Sequence, residues 1–171
     1  MPRLLIVHHS PTRTMQALTA QVHAGATDDA IEGVQVQVVA ALDFANGAAD
    51  SETLLNADGY ILGTTANFGY MSGALKHMFD STFLQIGGAL DDAGAGVQTP
   101  SGTTAGRPMG LYLHGRYDTT GAQRSVLSIT QALGWEQVSG VLSPLGDLDS
   151  QVLEQAYDLG ATVAAVLMES T

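Results

Sequence analysis

Apolar and polar positions along the chain alternate between two periods. Leu4-Leu5-Ile6-Val7 is an unbroken apolar run and reads as a parallel strand buried on both faces. Met15, Leu18 and Val22 then recur at helical spacing. Val34 to Val39 alternates and is rich in β-branched residues, which predicts a strand with one more exposed face. Ser51 to Leu55 predicts a short helix, and Asp58 to Gly63 a third strand. Met71, Leu75, Met78, Phe79 and Phe83 share one helical stripe, in a helix that opens at Ser72. Met109 to Leu113 predicts a fourth strand. Val126, Ile129 and Leu133 mark a helix that Gly134 ends as a glycine cap. Val138 to Leu142 predicts a fifth strand, and Leu153, Ala156, Gly160, Val163 and Leu167 trace a final helix. Five strands alternating with helices predict an α/β fold, a three-layer doubly wound parallel sheet. No repeat or linker interrupts the pattern, so residues 1–171 are expected to form a single domain.

Gly87 to Gly106 breaks the pattern. It is rich in Gly, Ala, Thr and Asp and has no clear period. A structureless loop of about 20 residues is unusual in a compact domain. It reads as a lid, as part of a subunit contact in a homo-oligomer, or as a surface loop without chemical importance.

Composition narrows the function. The chain is 45% hydrophobic and 13% charged, as a globular protein is. Its 17 acids against 6 bases give a net charge of −11, which argues against nucleic acid and anionic membranes as partners. There is no Cys, so disulfides, thiolate catalysis and iron–sulfur ligation are excluded. No stretch reaches the roughly 20 apolar residues of a membrane span, and Leu4 to Val7 is too short for a signal-peptide core. A cytoplasmic location is the expectation. No metal site is expected, because His8 and His9 point to opposite faces of a strand and the other histidines lack ligand spacing.

Three loops at strand ends carry candidate chemistry. The first, His8 to Met15, opens the first helix, whose N-terminus offers unpaired N–H groups and partial positive charge. Ser10, Thr12 and Thr14 add hydroxyls for phosphate oxygens, and Arg13 either pairs with the phosphate or faces solvent. The alternative is that Ser10 or Thr12 simply caps the helix. The second loop, Thr64 to Tyr70, has small residues that admit a flat polar ring to the backbone, with Gly69 free to take angles closed to other residues. Phe68 is either at the ring or a core residue at the strand end. The third loop, His114 to Gly121, offers Gly115 for close approach and Tyr117 for stacking, while Asp118 or Thr119 equally suits a helix cap.

The second loop resembles that of the flavodoxin-like FMN proteins, closest to the NAD(P)H:quinone and FMN reductase branch. That branch has the pattern Thr-Pro-Thr-Arg-Phe-Gly-Asn-Met-Ser-Gly. Here Thr64, Phe68, Gly69, Met71, Ser72 and Gly73 match it, while Thr65, Ala66, Asn67 and Tyr70 depart from it. The resemblance implies strand order 2-1-3-4-5 and FMN as cofactor. It implies phosphate binding by Ser10, Thr12, Arg13, Thr14 and Met15. It places Thr65, Ala66, Asn67, Phe68, Gly69 and Tyr70 along the flavin ring, with backbone groups of Asn67, Phe68 and Gly69 toward its N5 and O4 side. His114, Gly115, Arg116, Tyr117 and Asp118 then fall on the pyrimidine and dimethylbenzene side. Arg116 or His114 would stabilise negative charge near N1 of the reduced ring, and His114 is the candidate proton donor. The implied activity is electron transfer from NAD(P)H through FMN to a quinone, flavin or similar small acceptor. An electron carrier that docks to a redox protein is the alternative, and a flavin-storage or regulatory protein a third.

Overall fold

The structure is a computed structural model and describes residues 1–98 and 101–170. In chain order its elements are β1 (Arg3–His8), α1 (Arg13–Ala26), β2 (Gln35–Ala40), α2 (Asp43–Asn46), α3 (Ser51–Leu55) and β3 (Gly59–Asn67). Then come β4 (Tyr70–Met71), α4 (Gly73–Thr82), β5 (Ala89–Leu90), β6 (Gly96–Val97) and β7 (Pro108–His114). The last are α5 (Thr120–Ala132), β8 (Glu136–Gln137) and α6 (Ser150–Glu169).

The main sheet runs β2-β1-β3-β7-β8, with all neighbours parallel, so the order of its five parallel strands is 2-1-3-4-5. Side-chain alternation divides the core. Leu5, Val7, Tyr60, Leu62, Met109, Leu111 and Leu113 face α2 to α5, while Leu4, Ile6, Ile61 and Tyr112 face α1 and α6. Each inner strand is apolar on both sides because helices cover both. Gly63 belongs to this packing. The Tyr112 ring lies where a Cβ on Gly63 would be.

Three expectations need correction. The fifth strand is not continuous over Val138 to Leu142. β8 pairs Gln137 with Met109, and the ladder resumes only as single bridges, Leu142 with Tyr112 and Leu145 with Gly115. Three steps along β7 match five along this edge, so the edge bulges around Ser139 and Gly140. The second loop does not begin at Thr64. β3 continues to Asn67 and turns back as β4. Nor is Gly87 to Gly106 structureless, although its Thr99 and Pro100 lie outside the described residues. β5 and β6 form a hairpin, its turn held by Asp91 Oδ1, which accepts from the N–H groups of Ala93 and Ala95. Thr104 ties the stretch to the core: its hydroxyl donates to the Ile86 carbonyl at 2.7 Å and accepts from Trp135 Nε1 at 2.8 Å.

Candidate functional site

Parallel pairing brings the carboxyl ends of β1, β3 and β7 to one edge, and with them the three loops. In an open α/β sheet this is the edge that binds ligands.

The first loop is held to β3 by the His9 N–H, which donates to the Gly63 carbonyl at 2.9 Å. Thr12 is the N-cap of α1, its hydroxyl accepting from the Met15 N–H at 3.2 Å. Such a cap is worth about 1 kcal/mol. Met15 is fully buried among Leu4, Leu18 and Val22, and its N–H is spent on Thr12. It faces the core rather than a ligand, which corrects its place among the expected contacts. The N–H groups of Arg13 and Thr14 have no acceptor among the described residues, and they lie at the positive end of a helix. Arg13 is exposed beside them. The Ser10 hydroxyl turns inward, 2.9 Å from His8 Nδ1 and 2.8 Å from Thr19 Oγ1, and Thr19 in turn lies 2.7 Å from the Tyr112 hydroxyl. Burial, and then the neighbouring His9, hold His8 below the ordinary histidine pKa, while Asp43 works the other way. Burial alone lowers His9.

The second loop is a β-hairpin tip. Asn67 pairs with Tyr70, leaving Phe68 (φ 51°) and Gly69 (φ 76°) as a two-residue turn with both residues left-handed. Gly69 suits this conformation. For Phe68 it costs roughly 1–2 kcal/mol, and such outliers gather at functional sites. Phe68 is fully exposed, so the reading of it as a core residue is overturned. The Thr64 hydroxyl closes the base of the hairpin, accepting from the Ser72 N–H and donating to the Thr65 carbonyl, both at 2.9 Å. Thr65 is 6% exposed, and among the described residues its hydroxyl has no partner; His9 Nδ1 is likewise buried and unpartnered there. Ala66 and Asn67 are half-buried and Tyr70 is exposed.

The third loop is more self-contained than expected. His114 Nε2 donates to the Gly146 carbonyl at 2.6 Å. This bond tethers β7 to the bulged edge. Arg116 pairs with Asp147 at 3.1 Å, out in solvent. Gly115 is close-packed against its own loop: a Cβ would lie 2.9 Å from Thr119 Cγ2 and 3.3 Å from Ala66 Cβ. Its role is to seat the third loop on the second. Asp118 Oδ1 accepts from the Thr120 N–H at 3.0 Å, which starts α5 and lowers the pKa of the carboxyl. Tyr117 is 88% exposed and, with Phe68, gives this edge two solvent-facing aromatics on neighbouring loops.

His9, Thr19 and Tyr112 were not among the sequence candidates. A tyrosine inside an apolar strand does signal a buried hydroxyl in need of a partner. Nothing in the sequence says that the partner is nine residues beyond Ser10.

No protein-family model and no curated protein matches this sequence. Solved structures match along nearly the whole chain. A flavodoxin from the domain Archaea superposes with a TM-score of 0.73 at 15% identity, over 96% of this chain and 98% of that one. Flavodoxin 1 from Bacillus cereus gives 0.72 at 13%, over 95% and 97%. The fold is that of the flavodoxins. A flavodoxin-fold, WrbA-like protein from Agrobacterium tumefaciens gives 0.70 at 16%, over the full length of both chains. In this flavodoxin-like fold, the ends of β1, β3 and β7 form the crevice outside the sheet, next to the point where strand order reverses between β1 and β3.

Proposed function

We propose that the protein binds FMN along this edge and works in oxidation–reduction. The Thr65 hydroxyl carries the reading. It is a buried polar group at the ligand edge of the sheet with no partner among the described residues, and such groups are rare unless a ligand or water completes them. The two unpaired N–H groups of Arg13 and Thr14 fit an anion, and the Arg13 side chain adds charge. These groups, with the Thr14 hydroxyl, would hold the phosphate. The turn of Asn67, Phe68 and Gly69 would take the polar edge of the ring, with Thr65 and Ala66 beneath it. Gly115 and Tyr117 would bound the other side.

Bound flavin supplies two-electron chemistry with a nicotinamide and one- or two-electron chemistry with an acceptor. The chain's own residues bind and orient it. No side chain at the edge is placed as a covalent catalyst. The donor in this reading is NAD(P)H, and the acceptor a quinone, flavin or similar small molecule. Tyr70, exposed beside the turn, would line their approach.

A second reading, an electron carrier that docks to a redox protein, is favoured by two observations. Phe68 and Tyr117 both project into solvent, and the net charge of −11 suits a basic partner. Cofactor released by heat and identified by mass spectrometry tests the shared claim; recovery of FAD instead of FMN overturns it. Steady-state oxidation of NADH or NADPH with benzoquinone separates the two readings. Turnover supports the reductase, and FMN-loaded protein without turnover supports the carrier.

A further inference from the structure

Four side chains form one hydrogen-bonded line from the core to the first loop: Tyr112, Thr19, Ser10 and His8, with successive distances of 2.7, 2.8 and 2.9 Å. The line has a direction. Tyr112 is completely buried, and Thr19 is the only partner of its hydroxyl among the described residues. Were Tyr112 to accept, its hydrogen would be stranded in an apolar core, which is costly. Tyr112 therefore donates to Thr19, and burial raises its pKa well above that of ordinary tyrosine, which keeps the hydrogen in place. Thr19, having accepted, donates to Ser10. The Ser10 oxygen thus always has one lone pair filled from below, and its own hydrogen remains. In the observed arrangement that hydrogen goes to His8 Nδ1, which must then be an acceptor with no hydrogen of its own.

We propose that His8 is a positioning residue for anion binding: when a phosphate sits at the start of α1, Ser10 gives its hydrogen to the phosphate and His8 Nδ1 acquires one to donate back to Ser10. The inference rests on the phosphate reading of the first loop. The hydrogen bookkeeping closes in two ways. Either Nε2 loses its hydrogen to solvent as Nδ1 gains one, or Nδ1 gains one from solvent and the ring becomes a cation beside the anion. The titratable groups acting on His8 are His9, which opposes the cation, and Asp43, which favours it. In both cases the Ser10 oxygen is held by two donors, Thr19 and His8, with its hydrogen aimed outward. Tyr112, fixed across Gly63, sets the polarity of the whole line from the far strand.

Ring nitrogen chemical shifts of His8 in 15N-labelled full-length protein read the switch without any turnover. Riboflavin, which lacks the phosphate, is expected to leave Nδ1 an acceptor, and FMN to convert it to a protonated nitrogen. Thr19→Val should abolish the FMN-induced change and reduce FMN affinity severalfold with riboflavin affinity unchanged, while Thr19→Ser restores both. Tyr112→Phe repeats the test from the other end of the line should Thr19→Val fold poorly. If FMN binds more tightly than riboflavin but Nδ1 stays an acceptor, the inference is wrong and the phosphate reading survives. If FMN and riboflavin bind equally, or neither binds, the phosphate reading fails and takes the inference with it.

Discussion

The carbonyl oxygen of Gly69 lies against the Cα of Gly121, so close that a methyl group on Gly121 would overlap it. The tip of the β3–β4 hairpin is thereby seated on the first turn of α5, and the second loop is fixed relative to the third. Gly121→Ala should push the two apart. Overpacking of this kind costs typically 1–3 kcal/mol. Urea denaturation should show that loss, although alanine is the better helix former. Flavin affinity should fall in the same variant, because the tip carries Phe68 and the third loop carries Tyr117.

Phe68 holds a left-handed conformation without any packing that compensates for it. Phe68→Asn keeps the turn with a residue that tolerates this conformation. Stability should rise by up to about 1 kcal/mol, while flavin binding weakens through loss of the aromatic face. Denaturation and flavin titration of the one variant check both halves. Equal or lower stability would mean that the turn is not strained.

The hydrophobic pattern made most of the scaffold legible. Leu4 to Val7, the Met15-Leu18-Val22 stripe and the Gly134 stop each appear where their periods place them, and Gly134 takes the expected left-handed angle (φ 72°). The hairpin tip was hidden because Thr64 to Asn67 has the small polar character of a loop. It is a strand only because β7 pairs with it as far as His114 and β4 folds back on its end. The bulged edge was hidden for the opposite reason. Val138 to Leu142 has strand composition, but Gly140 sits in its middle, and pairing on one side alone does not force a regular register. At the candidate edge, residue types alone did not give the direction of the side chains. The Ser10 hydroxyl bonds to His8 and Thr19, and Arg116 pairs with Asp147.

Thr104 anchors the hairpin stretch through Trp135, the single tryptophan of the chain. Trp135 stacks on Tyr60 with ring centroids 3.9 Å apart, and Arg107 donates to the Tyr60 hydroxyl at 2.7 Å. Thr104→Val strands the indole N–H and should cost about 1–3 kcal/mol. A change in tryptophan fluorescence should accompany it. Flavin affinity should not change, since this network lies at the opposite end of the sheet from the site.

Both half-buried histidines of the first loop, His8 and His9, favour the neutral ring. Their folded pKa values lie below the ordinary histidine value of 6.5, with burial as the first cause. Between the folded and unfolded values the unfolded chain binds more protons, so stability rises with pH there. The contribution is fully present above about pH 6.5 and is lost as pH falls below it. Urea midpoints measured across that window should drop toward acid, and His8→Gln should flatten the drop. An unchanged slope in the variant would move the effect to other groups.

The most direct measurement is a pair of equilibrium titrations of the purified, cofactor-free protein, one with FMN and one with riboflavin. Hydrogen bonds to a charged group contribute about 1.5–3 kcal/mol each. With the phosphate at the Arg13 and Thr14 N–H groups, FMN should bind at least about tenfold more tightly, and Arg13→Ala should narrow the gap. Equal affinity for the two flavins, or binding of neither, would contradict the assignment of this edge to FMN.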